Sequence, residues 1–80
     1  MQRDPVLQKT FGTVLRQLRV EKGLSQEALA LESGLDRTFI SMLERGLRQP
    51  TLSSLFALAS ALKVSASRIV RLTEKAVPGT

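Results

Sequence analysis

The stretch that decides the fold is residues 25–46, SQEALALESGLDRTFISMLERG. Its apolar spacing predicts two helical pieces of about nine residues each, divided at Gly34. An isolated helix needs roughly 12–15 residues to persist in water, so neither piece is expected to be stable alone. Packing must therefore stabilise the pair, and we expect the second piece to present a surface to a partner.

The composition limits the chemistry of the chain. It has 80 residues, 42% of them hydrophobic and 24% charged, which is ordinary for a folded globular protein and predicts one domain with a small core. It contains no cysteine and no histidine. Disulfides, thiolate and imidazole catalysis and the commonest zinc and haem ligands are therefore excluded. We predict no metal site and no cofactor.

The positive charge is concentrated in one part of the chain. The net charge is +5, yet residues 1–36 carry five basic and five acidic groups. Residues 37–71 carry six basic groups against one acidic group, Glu44. The excess therefore begins at the second helical piece and favours a polyanionic partner such as nucleic acid. A solubilising surface and an anionic membrane are the alternatives.

The sequence does not predict an enzyme or a membrane protein. It has no glycine-rich phosphate loop and no nucleophile–histidine pair, and no small-molecule ligand is evident. Ser60 and Lys63 match the Ser-x-x-Lys pattern of penicillin-binding enzymes by chance, because the other motifs of that larger fold are missing. Without a long apolar run or a signal-peptide pattern, we expect no membrane span and a cytoplasmic location.

Start and stop signals predict five helices and no strand. Residues suited to capping a helix N-terminus are Asp4, Ser25, Asp36, Thr51 and Ser65. The predicted helices lie near residues 5–22, 26–33, 37–45, 52–62 and 66–73, with a frayed tail at 76–80. In the fourth helix the predicted buried face is Leu52, Leu55, Phe56, Ala59 and Leu62. Gly12 should destabilise the first helix by about 1 kcal/mol relative to alanine, which makes the start of this helix less certain from the sequence.

The two pieces of the opening stretch have the spacing of a helix-turn-helix. Ala30 is small enough for a close crossing, and Gly34 tolerates the positive φ of a tight turn. The residues expected to be buried against the rest of the domain are Leu29, Leu35, Ile40 and Leu43. The opposite side of the third helix carries hydrogen-bonding and small apolar groups that suit base edges in a major groove. A helical hairpin that only packs is the alternative.

The sequence also resembles a known family. Residues 15–35, LRQLRVEKGLSQEALALESGL, look like the Cro and phage-repressor (Xre-type) helix-turn-helix family, and residues 44–70 are similar to that family's next two helices. The third helix is also similar to that of controller proteins of restriction–modification operons. This resemblance implies a compact, five-helix, lambda-repressor-like fold. It also implies a homodimer on a pseudo-palindromic operator, acting as a repressor or autoregulatory controller.

An antitoxin, or a protein-interaction adaptor that uses the same fold, is the alternative function. An adaptor has no need of an arginine-led surface on the third helix, whereas an antitoxin usually binds DNA as well.

Two groups of residues are predicted to contact DNA. The predicted base contacts are Arg37, Thr38, Ser41 and Met42, and Arg37 is the first choice because a guanidinium pairs bidentately with guanine. Partial core packing is the alternative for Met42. The predicted phosphate contacts are Gln26, Arg19, Arg45, Arg48 and Gln49; the family implies the role of Gln26, which opens the second helix. A solvated basic rim is the alternative for the last three.

Two further contacts are predicted. The resemblance pairs Glu44 with Arg19, partly buried, which would fix the angle of the third helix and leave Arg19 partly free for a phosphate. A solvent-facing pair, worth about 0–1 kcal/mol, is the alternative. The predicted dimer interface is a self-complementary apolar patch made of Leu58, Ile69, Val70 and Leu72.

Overall fold

The computed structural model describes residues 4–79, and this part of the chain contains five α-helices and no β-strand. They are α1 (Pro5–Glu21), α2 (Gln26–Ser33), α3 (Arg37–Glu44), α4 (Leu52–Leu62) and α5 (Ala66–Ala76). The predicted all-α fold is therefore confirmed. Within the described range, no helix combines the length and the apolar character that crossing a membrane requires.

Each of the five predicted capping residues lies immediately before the first residue of a helix. In each case the side-chain oxygen accepts a hydrogen bond from a backbone N–H in the first turn, at Asp4, Ser25, Asp36, Thr51 and Ser65. Such a cap satisfies one of the N–H groups that have no partner inside the helix. Gly34 directly follows the last residue of α2. Its φ of 73° confirms the prediction that this residue adopts the positive φ of a tight turn.

The helix ends differ slightly from the predicted ones. α1 and α3 each stop one residue early, whereas α5 continues to Ala76 rather than ending near Thr73. The Thr73 side chain is buried, and its hydroxyl donates to the carbonyl of Ile69 at 2.8 Å, so α5 packs inward at this point and continues. The predicted tail at 76–80 is wrong at Ala76, and Thr80 lies outside the described residues.

The core receives side chains from every helix. The fully buried large residues are Leu15, Leu29, Ile40, Leu43, Leu58, Leu62 and Ile69. Burying a Leu or Ile side chain stabilises a fold by roughly 1.5–3 kcal/mol, so this shared core is the main reason that helices as short as α2 and α3 persist.

The predicted buried face of α4 is partly wrong. Leu52 and Phe56 are 73% and 60% exposed, and they lie four residues apart on one outward stripe of the helix. Ala59 and Leu62 are buried as predicted, and the inward side also contains Ser54 and Leu58. Ser54 is buried on this side, where it forms a capping box with Thr51.

Gly12 marks the place where α1 crosses the end of α3. A Cβ atom at this position would lie 2.3 Å from the carbonyl oxygen of Leu43 and 2.7 Å from that of Glu44. Real Cβ atoms do not approach backbone atoms so closely, so only glycine permits this crossing. The low helix propensity of Gly12 is therefore offset by a contact that fixes the C-terminal end of α3.

Candidate DNA interface

The turn between α2 and α3 positions the second helix of the motif. The N–H of Gly34 and the N–H of Leu35 both donate to the carbonyl of Ala30, at 2.9 and 3.2 Å, and close the end of α2. Ile40 and Leu43 of α3 are then fully buried, so one side of α3 faces the core. The opposite side of α3 is left at the surface.

The predicted base-contacting residues lie together on that outer side. Arg37 and Thr38 in the first turn are exposed, and Ser41 and Met42 one turn later are half-buried. At 100° per residue, Thr38, Ser41 and Met42 face away from the Ile40–Leu43 side, and Arg37 lies at the edge of the outer side, at the start of the helix. The arrangement offers a guanidinium, two hydroxyls and a thioether along one helix face.

The predicted ion pair of Arg19 and Glu44 is confirmed and is largely buried. The Nε of Arg19 donates to Oε2 of Glu44 at 2.6 Å and its Nη2 donates to Oε1 at 3.0 Å. The two side chains are 12% and 4% exposed. Nη1 of Arg19 also donates to the carbonyl of Leu24 at 2.9 Å. The hydrogen bond to Glu44 raises the pKa of Arg19 above its ordinary value, although burial opposes the shift.

Gln26 joins the same network, which the sequence did not predict. Its Nε2 donates to Oε1 of Glu44 at 3.0 Å, while its backbone opens α2. Glu44 therefore accepts three hydrogen bonds and connects α1, the start of α2 and the end of α3. The one acidic group of the basic region is neutralised internally and does not face a polyanion as an unpaired charge.

The predicted contacts after α3 are exposed, and each has an intramolecular partner. Nε of Arg45 donates to the carbonyl of Ser41 at 3.3 Å. The guanidinium carbon of Arg48 lies 5.6 Å from the centre of the Phe39 ring, within cation–π range. Phe39 itself is half-buried and packs against the core.

Gln49 contacts a residue that sequence reasoning missed. Its Nε2 donates to Oε1 of Gln8 at 3.1 Å. Gln8 is a buried polar residue on the inward stripe of α1, one turn before Phe11. A polar residue in an apolar stripe was the signal that could have found it.

Comparison with known proteins identifies the architecture. The model of the helix-turn-helix family matches residues 15–69. The chain belongs to this family. It is 42% identical to an uncharacterized HTH-type transcriptional regulator, y4dJ, of Sinorhizobium fredii, over 92% of this chain and 96% of that protein. It is 41% identical to the control protein C.BamHI of Bacillus amyloliquefaciens, over 79% of each chain.

Solved structures agree with this helix-turn-helix assignment. The restriction–modification controller protein C.AhdI of Aeromonas hydrophila has 46% sequence identity and a TM-score of 0.75, covering 76% of this chain and 92% of that one. The controller protein C.Esp1396I, solved as a tetramer with its natural 35 base-pair operator, has 38% identity and a TM-score of 0.80. That match covers 89% of this chain and 93% of the other. The family and controller-protein resemblance seen in the sequence is confirmed.

The predicted dimer patch of this helix-turn-helix regulator is wrong. Leu58 and Ile69 are fully buried in the core of the subunit, so a second copy cannot reach them. Val70 and Leu72 are two residues apart on α5 and therefore face different sides of it. Val70 is 49% exposed, whereas Leu72 is half-buried beside Val14 and Leu18. Of the four residues, Val70 alone lies well exposed.

The exposed apolar surface lies elsewhere on the regulator. α4 presents Leu52 and Phe56 outward, as described above. An apolar groove of about 340 Å³ also runs between α1, the start of α4 and α5. Its apolar lining includes Leu7, Leu55 and Val70. This surface can bury a complementary apolar surface without disturbing the core.

Proposed function

We propose that this regulator binds a pseudo-palindromic operator in double-stranded DNA as a homodimer, and acts as a repressor or autoregulatory controller. The observation that carries the proposal is the outer side of α3, where exposed Arg37 and Thr38 and half-buried Ser41 and Met42 reach the surface while Ile40 and Leu43 are fully buried. An α-helix with such a face fits the major groove of B-DNA. The operator complex of the related C.Esp1396I supports the same mode of action.

Base contacts are assigned to the outer side of α3. Arg37 is the first residue of the helix, and its exposed guanidinium can donate two hydrogen bonds to the O6 and N7 atoms of guanine. Thr38 offers a hydroxyl or a methyl group, and Ser41 and Met42 extend the contact by one turn. Each good bidentate contact discriminates against a wrong base by about 1–3 kcal/mol.

Phosphate contacts are assigned around this face. Gln26 is the first residue of α2, where backbone N–H groups and the helix dipole favour an anion. An amide has two N–H donors, so the bond from Gln26 to Glu44 is compatible with a second bond to phosphate. The other assigned groups are those of Arg19, Arg45, Arg48 and Gln49.

The homodimer is assigned to the apolar surface that includes Leu52, Phe56 and Val70. A patch that meets its own copy across a two-fold axis gives a closed dimer, which matches the symmetry of a palindromic site. The two α3 helices should then lie about 34 Å apart, one turn of DNA. We place the protein in the cytoplasm and assign it no catalytic activity, since transcriptional regulation is the role its relatives support.

Selection of bound sequences from a random duplex library tests the proposal. We expect enrichment of two inverted half-sites whose centres lie about 10 base pairs apart. Enrichment of a single, non-repeated site would contradict the homodimer, and no enrichment at all would contradict sequence-specific binding.

The salt dependence of binding to a nonspecific duplex separates a DNA-binding regulator from an adaptor. Each neutralised phosphate contributes about −0.9 to the slope of log affinity against log salt. Arg45 and Arg48 in each subunit, the assigned arginines that are not paired with Glu44, predict a slope of roughly −4 for the dimer. A flat dependence would favour the adaptor.

A further inference from the structure

The segment that joins α3 to α4, residues 45–51, is held by a buried amide on another helix. Gln8 of α1 is 3% exposed, and its Nε2 donates to the carbonyl of Gly46 at 3.3 Å. Its Oε1 accepts from Nε2 of Gln49 at 3.1 Å. One side chain therefore contacts both the backbone and a side chain of the segment.

Two neighbouring contacts restrict the same segment. Gly46 has φ +75°, and a Cβ on it would lie 2.8 Å from the Cα of Lys9, so its backbone is packed directly on α1. Arg48, two residues later, stacks over Phe39 of α3 at 5.6 Å. Residues 46, 48 and 49 are thus each anchored to a helix, although the segment itself is irregular.

Packing of the core does not require an amide group at position 8. The inward stripe of α1 is otherwise apolar, and a buried polar group is tolerated only when its hydrogen bonds are made. An apolar side chain of equal length would fill the same space. The side-chain amide of Gln8 bonds to residues 46 and 49, which lie on either side of Arg48. A segment ordered before binding avoids the entropy loss of being ordered by DNA.

We propose that Gln8 is a positioning residue that presets residues 45–51 so that Arg48 and Gln49 meet the DNA backbone. The proposal rests on the proposed function, because it concerns the presentation of phosphate contacts. Gln8 itself has no direct contact with DNA in this scheme, and it acts through the segment that it holds.

The first test replaces Gln8 by methionine, which has similar length and no amide. Affinity of the full chain for a nonspecific duplex is measured over a range of salt concentrations. We expect Gln8→Met to bind about threefold to tenfold more weakly, the cost of ordering one or two long side chains. The salt slope should also become shallower by up to about 0.9 per subunit, because Arg48 no longer holds its phosphate. A purely structural role would leave the slope of the folded protein unchanged.

A double-mutant cycle with Arg48→Ala shows whether Gln8 acts through the segment. If it does, Gln8→Met should weaken binding less in the Arg48→Ala background than in the wild type, because only the Gln49 contact then still depends on Gln8. Equal losses in both backgrounds, or no loss in the wild-type background, would overturn the proposal. Gln17→Met, on the exposed side of α1, is the matched control and should bind as the wild type does.

Folding is checked by circular dichroism at the assay temperature, and Gln8→Leu replaces Gln8→Met in both measurements if the latter folds poorly. A wild-type chain that binds no duplex would refute the proposed function and the role of Gln8 together. A wild-type chain that binds DNA without coupling between positions 8 and 48 would refute the role of Gln8 alone.

Discussion

Removing the carboxylate of Glu44 should destabilise the fold strongly, because it breaks a largely buried ion pair. The side chain is 4% exposed and accepts three hydrogen bonds, two from Arg19 and one from Gln26. Glu44→Ala leaves the guanidinium of Arg19, 12% exposed, with its hydrogen bond to the carbonyl of Leu24 but without the carboxylate that balances its charge. Breaking a buried pair costs about 3–5 kcal/mol, and the partial exposure of Arg19 places this case near 3 kcal/mol.

Urea unfolding followed by circular dichroism measures this loss. For a chain of this size, about 3 kcal/mol also corresponds to a fall in Tm of roughly 12–24 °C. Glu32→Ala, which removes an exposed carboxylate from α2, is the control and should change stability by less than about 0.5 kcal/mol. Replacing both partners, with Arg19→Met and Glu44→Leu together, should restore most of the loss, because no buried charge is then left unpaired.

The pH dependence gives a further check on the pair. The pKa of Arg19 is raised in the folded state, so its contribution to stability is fully present below the ordinary pKa of arginine and is lost only as the pH rises above it. The Arg19 contribution should therefore be constant from about pH 6 to pH 9.

A Glu44→Ala protein as stable as the wild type would refute the buried network and the fixed angle of α3 inferred from it.

Three other substitutions test separate parts of the fold. Gly12→Ala should lower the unfolding free energy by about 1–2 kcal/mol, since overpacking against the α3 carbonyls outweighs the gain in helix propensity; a stabilised variant would contradict the close crossing. Lys63→Gly should raise the unfolding free energy by about 0.5–1 kcal/mol, because Lys63 caps the C-terminus of α4 with a φ of 59° that glycine adopts more easily. An unchanged free energy in urea unfolding would contradict backbone strain at this position. Phe56→Asp should convert the dimer into a folded monomer in sedimentation equilibrium, and an unchanged dimer would exclude the α4 surface.

The helix starts could be predicted because their causes are local. A capping side chain acts on a backbone N–H two or three residues ahead, and all five caps were visible as residue types. The face of α4 could not be predicted in the same way. Leu52 and Phe56 form one apolar stripe, and Leu58 and Leu62 form another, so only the docking of α4 on the other helices decides which is buried.

The candidate interface was predictable where it follows helical periodicity. The outer side of α3 follows from the position of Ile40 and Leu43, which the pattern identified. Contacts between distant segments could not be found this way, since nothing in the local sequence pairs Gln8 with Gln49, 41 residues later. Gly12 carried the opposite signal, because its local cost was visible and the compensating contact with α3 was not.

The most direct test of the account is the discrimination between an operator and a scrambled duplex by Arg37→Ala and Thr38→Ala. The account predicts that Arg37→Ala loses about tenfold or more of this discrimination, Thr38→Ala a smaller part, and that both stay as stable as the wild type. If both variants distinguished the two duplexes as well as the wild type does, the outer side of α3 would not be the surface that reads DNA.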